Sequence, residues 1–170
     1  MLEKKIINIA VQGVGTIGKR HLMAMNENQN VNLSGIIDIS DEAKQFCDNK
    51  NIPISENLID LRKKSEINGV IISTPTIFHY ENTLAALELG LDVLIEKPIS
   101  ADVSEAQTIA KVAEENNCKV LVGHQRRFYP LVRKAKEIVK NGEIGKIIGL
   151  SGVWALRKDN DYFDPGWRKK

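Results

Sequence analysis

The sequence predicts an α/β protein: a doubly wound parallel sheet, followed by the incomplete start of a second α/β domain. Three observations predict it. Short runs rich in Val, Ile and Leu alternate with longer amphipathic stretches over residues 1–124, the pattern of parallel strands covered on both faces by helices. A G-x-G-x-x-G motif, Gly13, Gly15 and Gly18, stands at the first strand-to-helix junction. An acid, Asp38, closes the second strand 20 residues after Gly18.

Taken in order, the expected strands are residues 6–12, 31–38, 52–54, 69–74, 92–96 and 119–124. Between them lie expected helices over residues 17–28, 41–49, 57–64, 77–89 and 103–116. Ser40 and Asp102 stand where N-caps belong, and Gly90 stands where a left-handed C-terminal glycine belongs. The rhythm changes after the sixth strand. One helix over residues 131–140 ends at "NGEIG", and "KIIGLSGVWAL", residues 146–156, reads as one further strand. Residues 1–124 therefore form a first domain, and residues 125–170 open a second with too few residues to close a core. Its orphan strand is expected to leave an edge open to solvent or to a neighbouring chain.

Bulk properties bound the function. The 170 residues are 42% apolar and 27% charged, with a net charge of +2, which fits a soluble globular protein. So small a charge points to no nucleic-acid and no membrane-surface partner. Cys47 and Cys118 lie far apart and form no metal-ligand cluster, so they read as reduced thiols of a cytoplasmic protein. The apolar run at residues 6–11, broken by Asn8, is too short for a signal peptide or a membrane span.

A lone G-x-G-x-x-G is a weak signal; between a strand and a helix it is a specific one. Gly13 permits the tight turn, Gly15 lets backbone approach a pyrophosphate, and Gly18 lets helix and strand pack closely. Thr16 and Ile17 complete the turn whose free N–H groups face the phosphates. The Asp38 carboxylate accepts the hydroxyls of an adenosine ribose and repels a 2′-phosphate, which favours NAD over NADP. The bland alternative is an ordinary turn followed by a helix-capping aspartate.

Two further segments stand at strand ends. Ser73 and Thr74 fall at the carboxyl end of the fourth strand, where open α/β sheets bind ligands, and Pro75 turns the loop across the crevice. His79, one helical turn on, is a candidate cofactor contact, although a lone histidine more often serves the structure. In "VLIEKPIS" Glu96 and Lys97 end an apolar run before Pro98. Either these are surface charges at a strand end with a helix-starting proline, or the lysine is presented at the rim of the crevice.

The motifs "GVGTIG", "STPTIFHYENTLAALELGLDVLIEKPIS" and "GHQRRFYPLVRKAKEIVKNGEIGKI" together resemble the Gfo/Idh/MocA family of dinucleotide-dependent oxidoreductases. The E-K-P tripeptide is far more specific than the glycines. The resemblance implies an N-terminal Rossmann domain, a C-terminal domain with an open and mostly antiparallel sheet, and substrates that are chiefly sugars, cyclitols and related polyols. It places Glu96, Lys97 and Pro98 at the nicotinamide end, with Lys97 as the catalytic residue on the reacting oxygen. An ammonium there stabilises negative charge as a carbonyl is reduced. A proline after it is compatible with a cis bond, which costs only about 0.5–1 kcal/mol before proline. Gln125 replaces the usual Asn of the family segment and is expected to contact ribose or nicotinamide. Trp154, Arg157, Lys158, Tyr162, Trp167 and Arg168 resemble the part of the family that lines the cleft. Arg126 and Arg127 serve an anionic substrate or face solvent.

Family members run to roughly twice this length, and the segment that supplies their aspartate and catalytic histidine lies past residue 170. The leading expectation is an NAD-dependent oxidoreductase of polyols, or its cofactor-binding part, acting as a homo-oligomer and inactive when limited to these residues. The alternative is a non-catalytic dinucleotide-binding module. An S-adenosylmethionine-dependent transferase is disfavoured by Asp38 and the E-K-P segment.

Overall fold

The computed structural model describes residues 6–160. The chain divides into two compact units, the first running through Gly123 and the second starting at His124.

In the first unit six strands form one sheet: β1 (Ile7–Gln12), β2 (Val31–Ile37), β3 (Ile54–Ser55), β4 (Gly69–Ile72), β5 (Asp92–Ile95) and β6 (Val120–Val122). Their order is β3-β2-β1-β4-β5-β6 and every pairing is parallel. Parallel neighbours need crossover helices. These are α1 (Thr16–Asn26), α2 (Asp41–Asp48), α3 (Leu58–Lys64), α4 (His79–Glu88) and α5 (Val103–Glu115). The order reverses between β1 and β4, so a crevice opens outside the carboxyl ends of those two strands.

The period of two in each strand sends neighbours to opposite faces. Ala10, Val70, Ile72, Val93 and Ile95 pack against α3, α4 and α5 through Leu61, Leu87 and Ile109. Val11, Ile36 and Ile71 pack against α1 and α2 through Leu22, Ala43 and Cys47. All four residues of β4 are buried, which explains why this strand reads as an unbroken apolar run.

Local signals act as the sequence predicts at several joints. Ser40 caps α2 by accepting from the Ala43 N–H, Asp102 caps α5 by accepting from the Ser104 N–H, and Gly90 turns out of α4 with φ +71°. Asn57 caps α3 in the same way, through the Asp60 N–H. The helix expected from residue 77 begins two residues later. Pro75 opens a single 3-10 turn, Thr76–Phe78, in which the Phe78 N–H donates to the Pro75 carbonyl. The third strand is two residues long and pairs with β2 through Ile54 and Ser55 rather than Ile52.

The second unit holds a 3-10 turn (Gln125–Phe128) and α6 (Pro130–Lys140), with Pro130 in the first helical turn, where its missing N–H costs nothing. The strand expected over residues 146–156 does not form. Val, Ile and Trp in that run have strand propensity, but propensity makes no ladder without a partner strand, and none among the described residues pairs with it. Its side chains lie open, Ile148 being 97% exposed. Among the described residues no helix is long and apolar enough to cross a membrane.

Core and tail should therefore respond differently to truncation. Ile72→Ala, at a site with no solvent exposure, should lose about 2–5 kcal/mol in urea unfolding. Ile148→Ala should stay within about 0.5 kcal/mol of wild type; a loss like that of Ile72→Ala would mean the segment is packed.

Candidate functional site

The glycine turn is shaped by what its glycines lack. Gly13 has φ +86°, and a Cβ there would lie 2.8 Å from the Thr74 nitrogen. A Cβ on Gly18 would fall on the Gly13 carbonyl oxygen, so the first turn of α1 rests directly on the turn it leaves. Gly15 is the N-cap of α1 and brings no side-chain cap; a Cβ there would meet nothing within 4 Å. Thr16 and Ile17 open the helix and are exposed. The first N–H groups of α1 thus face open space beside a residue without bulk.

Two strand ends fasten this turn. The Gly13 N–H donates to the Ile37 carbonyl at 2.9 Å, and the Ser73 hydroxyl donates to the Gly13 carbonyl at 2.6 Å. Asp38, one residue beyond β2, accepts from the Val14 N–H at 2.8 Å through one oxygen. Its other oxygen accepts from the Ser40 N–H at 2.9 Å and the Ser40 hydroxyl at 2.7 Å. Burial alone raises the Asp38 carboxyl, but the donors of Val14 and Ser40 outweigh it and hold the group below its ordinary value of 3.8. The Ile39 N–H adds to the same effect as the smallest of these donors. A hollow of about 500 Å³ runs along the β3 edge past Asp38, bordered by Lys44, Ser55, Glu56 and Lys64. Lys44 is paired with Glu56 at 3.3 Å.

The other side of the crevice is built at the ends of β4 and β5. The Thr74 hydroxyl accepts from Asn82 at 3.2 Å, and Pro75 directs the loop into its 3-10 turn. His79 corrects the expectation of a cofactor contact. It is 1% exposed, with Nδ1 at 2.8 Å from the Pro98 carbonyl oxygen and Nε2 at 2.8 Å from that of Thr74. Both ring nitrogens face main-chain carbonyls inside the protein, so the ring is turned to the structure rather than to the open crevice.

Glu96 follows β5 and leans away from the lysine beside it. Its Oε1 lies 2.9 Å from His21 Nε2 on α1, while Oε2 accepts from the Lys97 backbone N–H at 3.3 Å. The carboxylate packs over Gly123, where a Cβ would stand 2.9 Å from Oε1. Lys97 is exposed, and the Lys97–Pro98 bond is cis. The sequence reading missed His21, because nothing in an ordinary helix position marks its partner 75 residues away. It also missed the double use of Ser40 as helix cap and carboxylate donor.

Gln125 belongs to the second unit, where it opens the 3-10 turn and is exposed. In that unit the Arg126 guanidinium stacks over the Trp154 ring, 4.3 Å from its centre. Tyr162, Trp167 and Arg168 lie outside the described residues.

Residues 7–124 match the GFO_IDH_MocA model, described as "Oxidoreductase family, NAD-binding Rossmann fold". The chain belongs to the Gfo/Idh/MocA family. Its fold is similar to that of myo-inositol 2-dehydrogenase from Lactobacillus plantarum, with TM-score 0.78, 34% identity, and coverage of 85% of this chain and 44% of that one. Scyllo-inositol dehydrogenase from Lactobacillus casei, solved with NAD(H) and scyllo-inositol, gives TM-score 0.77 and 28% identity over 83% of this chain and 43% of its own. A curated relative, 2,7-anhydro-N-acetylneuraminate hydratase from Mediterraneibacter gnavus, is 25% identical over 144 residues, 85% of this chain and 38% of the relative. The chain spans about two fifths of the length of the curated relatives it matches.

The Rossmann domain of this Gfo/Idh/MocA chain carries the features a dinucleotide needs. The helix start is open at Gly15, and Asp38 is an ionised acceptor at the end of β2. Gln12 Oε1, at the end of β1, is buried without a hydrogen-bond partner among the described residues.

Asp38 also sets an acid limb of stability. Its folded value is lowered, so the folded state favours the carboxylate and the unfolded state takes the proton first. The contribution is complete above the ordinary value of 3.8 and is lost as pH falls through the lower folded value. Urea unfolding against pH should show this loss in wild type and a flatter acid limb in Asp38→Asn. Identical limbs would mean that the Val14 and Ser40 bonds do not discriminate the two forms.

Proposed function

We propose that the protein is an NAD-dependent oxidoreductase that moves a hydride between nicotinamide and a secondary alcohol or ketone of a sugar, cyclitol or related polyol. The observation that carries this reading is the Glu96–His21 contact of 2.9 Å. It ties the E-K-P segment after β5 to the helix that starts at the glycine turn, so an exposed lysine stands at the same end of the sheet as the phosphate-facing backbone. The inositol dehydrogenases among the family's solved structures support the substrate class.

Each residue then has a task. Gly13, Gly15 and Gly18 bring the α1 backbone to the pyrophosphate, with the N–H groups at Thr16 and Ile17 as donors. Asp38 accepts from the adenosine ribose. Ser73, Thr74 and Pro75 form the wall across from the glycine turn, and Glu96 bears on the nicotinamide half. Bound nicotinamide supplies or accepts the hydride. Lys97 holds the reacting oxygen by an N–H bond, stabilising the negative charge that grows on it during reduction and taking part in the proton transfer.

The first unit serves as the dinucleotide-binding domain, and the residues after His124 begin the substrate domain. A cytoplasmic location is supported by the thiols. Cys47 and Cys118 are both free and form no disulfide, as thiols of a reducing compartment do. Exposed Ile148, Leu150 and Val153 support a homo-oligomer.

Calorimetric titration with NAD and NADP tests the cofactor half. Wild type should prefer NAD, and Asp38→Ala should weaken NAD by about 10–100-fold while NADP loses little. Equal weakening of both cofactors would confine Asp38 to its Val14 and Ser40 bonds, and a wild type that prefers NADP overturns the assignment.

NADH formation with myo-inositol tests the chemistry. The 170 residues should bind NAD and form little or no NADH, because Lys97 alone of the expected catalytic set falls among them. Steady NADH formation that Lys97→Met abolishes, with NAD affinity changed by less than about threefold, would overturn that inactivity and leave Lys97 as the catalytic residue.

A further inference from the structure

We propose that His79 is the positioning residue of Lys97, a role that rests on the reading of Lys97 given above. His79 is the first residue of α4 and is 1% exposed. Its ring lies between two loops that leave neighbouring strands, 2.8 Å from the Thr74 carbonyl oxygen and 2.8 Å from the Pro98 carbonyl oxygen. The Thr74 side of this bridge is the loop on which the glycine turn rests: a Cβ on Gly13 would meet the Thr74 nitrogen at 2.8 Å. The Pro98 side is the residue directly after the lysine. One imidazole therefore connects the support of the phosphate turn to the segment that presents the ammonium.

The chemistry of the ring suits a clasp. Carbonyl oxygens only accept, so the ring must donate. A singly protonated imidazole donates to one loop, and a doubly protonated one donates to both. Neither form leaves a nitrogen for a cofactor or a substrate. The histidine is held in place by the backbone of α4; the Thr83 hydroxyl, fully buried in the next turn, donates to its main-chain carbonyl at 2.6 Å and touches neither ring nitrogen. Among the described residues the Lys97 side chain has no such fastening to the core. Its backbone N–H bond to Glu96 is long, at 3.3 Å. Its direction is set from the next residue, through the carbonyl that His79 holds.

The test compares His79→Gln and His79→Asn with Thr83→Val, which disturbs the same helix without touching either ring contact. Hydrogen exchange of the cofactor-free chain reads the clasp. The amides of Lys97, Ile99, Ser100 and Ala101 should exchange about tenfold faster in the His79 variants while those of β1 and β4 keep their wild-type rates. Protection of Lys97 from acetylation by bound NAD, followed by mass spectrometry, reads the position of the lysine. It should fall at least about fivefold in the His79 variants while NAD affinity stays within about threefold, and Thr83→Val should keep wild-type protection. Scalar couplings across the hydrogen bonds, from the ring nitrogens to the Thr74 and Pro98 carbonyl carbons, test the clasp in wild type even where a variant fails to fold; absence of both couplings overturns it. Unchanged exchange, or unchanged Lys97 protection, in a folded His79 variant of a chain that binds NAD overturns the inference alone. A wild type that binds no NAD overturns the oxidoreductase reading and this inference with it.

Discussion

The first turn of α1 rests on the carbonyl of Gly13, and the crevice is assembled outward from that contact. It exists because Gly18 has no side chain; any Cβ would occupy the carbonyl oxygen's place. With the helix seated there, the Gly13 carbonyl is left to accept from Ser73, and the Gly13 N–H to donate to Ile37. Helix α1 and the ends of β1, β2 and β4 are thereby locked at one point. The individual hydrogen bonds contribute about 1 kcal/mol each, but the steric term admits no compromise. Bonds of this kind form only when the backbone is already at the right separation.

The two halves of the crevice are held by different means. On the Asp38 side the fastening is charge-assisted: a carboxylate gathers the Val14 and Ser40 donors and joins the glycine turn to the cap of α2. On the Lys97 side a buried ring joins neutral carbonyls, and Glu96 reaches back to His21 on α1. The Asp38 carboxylate responds to acid. The half around His79 answers to the geometry of two loops.

Much of this was legible in the sequence, and the reasons differ by element. The buried strands could be read because both faces of a parallel sheet are apolar, which leaves an unbroken run such as Val70, Ile71 and Ile72. The glycine turn and Asp38 could be read because a phosphate-facing turn demands specific residue types at fixed spacing. The strand at residues 146–156 was misread because propensity describes a residue and a ladder needs a partner. His21 was not legible as a structural residue, and for His79 a structural role was open but its two carbonyl partners were not legible. Their partners are brought near only by the order of the strands, and a histidine in a sequence looks the same whether its nitrogens face solvent or carbonyls.

Most of the hydrogen-bonding groups that shape the crevice are main-chain atoms. The Gly13, Ile37, Thr74 and Pro98 carbonyls and the Val14 and Lys97 amides all take part. A point mutation at Thr74 or Ile37 leaves its carbonyl in place, and one at Val14 leaves its N–H unless the newcomer is proline. Evolutionary drift is therefore free at many positions around the crevice and confined at the few side chains that do the fastening: the bare Gly18, Ser73, Asp38 and His79. A lineage built on this plan has latitude to change the side chains around the crevice without rebuilding the floor beneath.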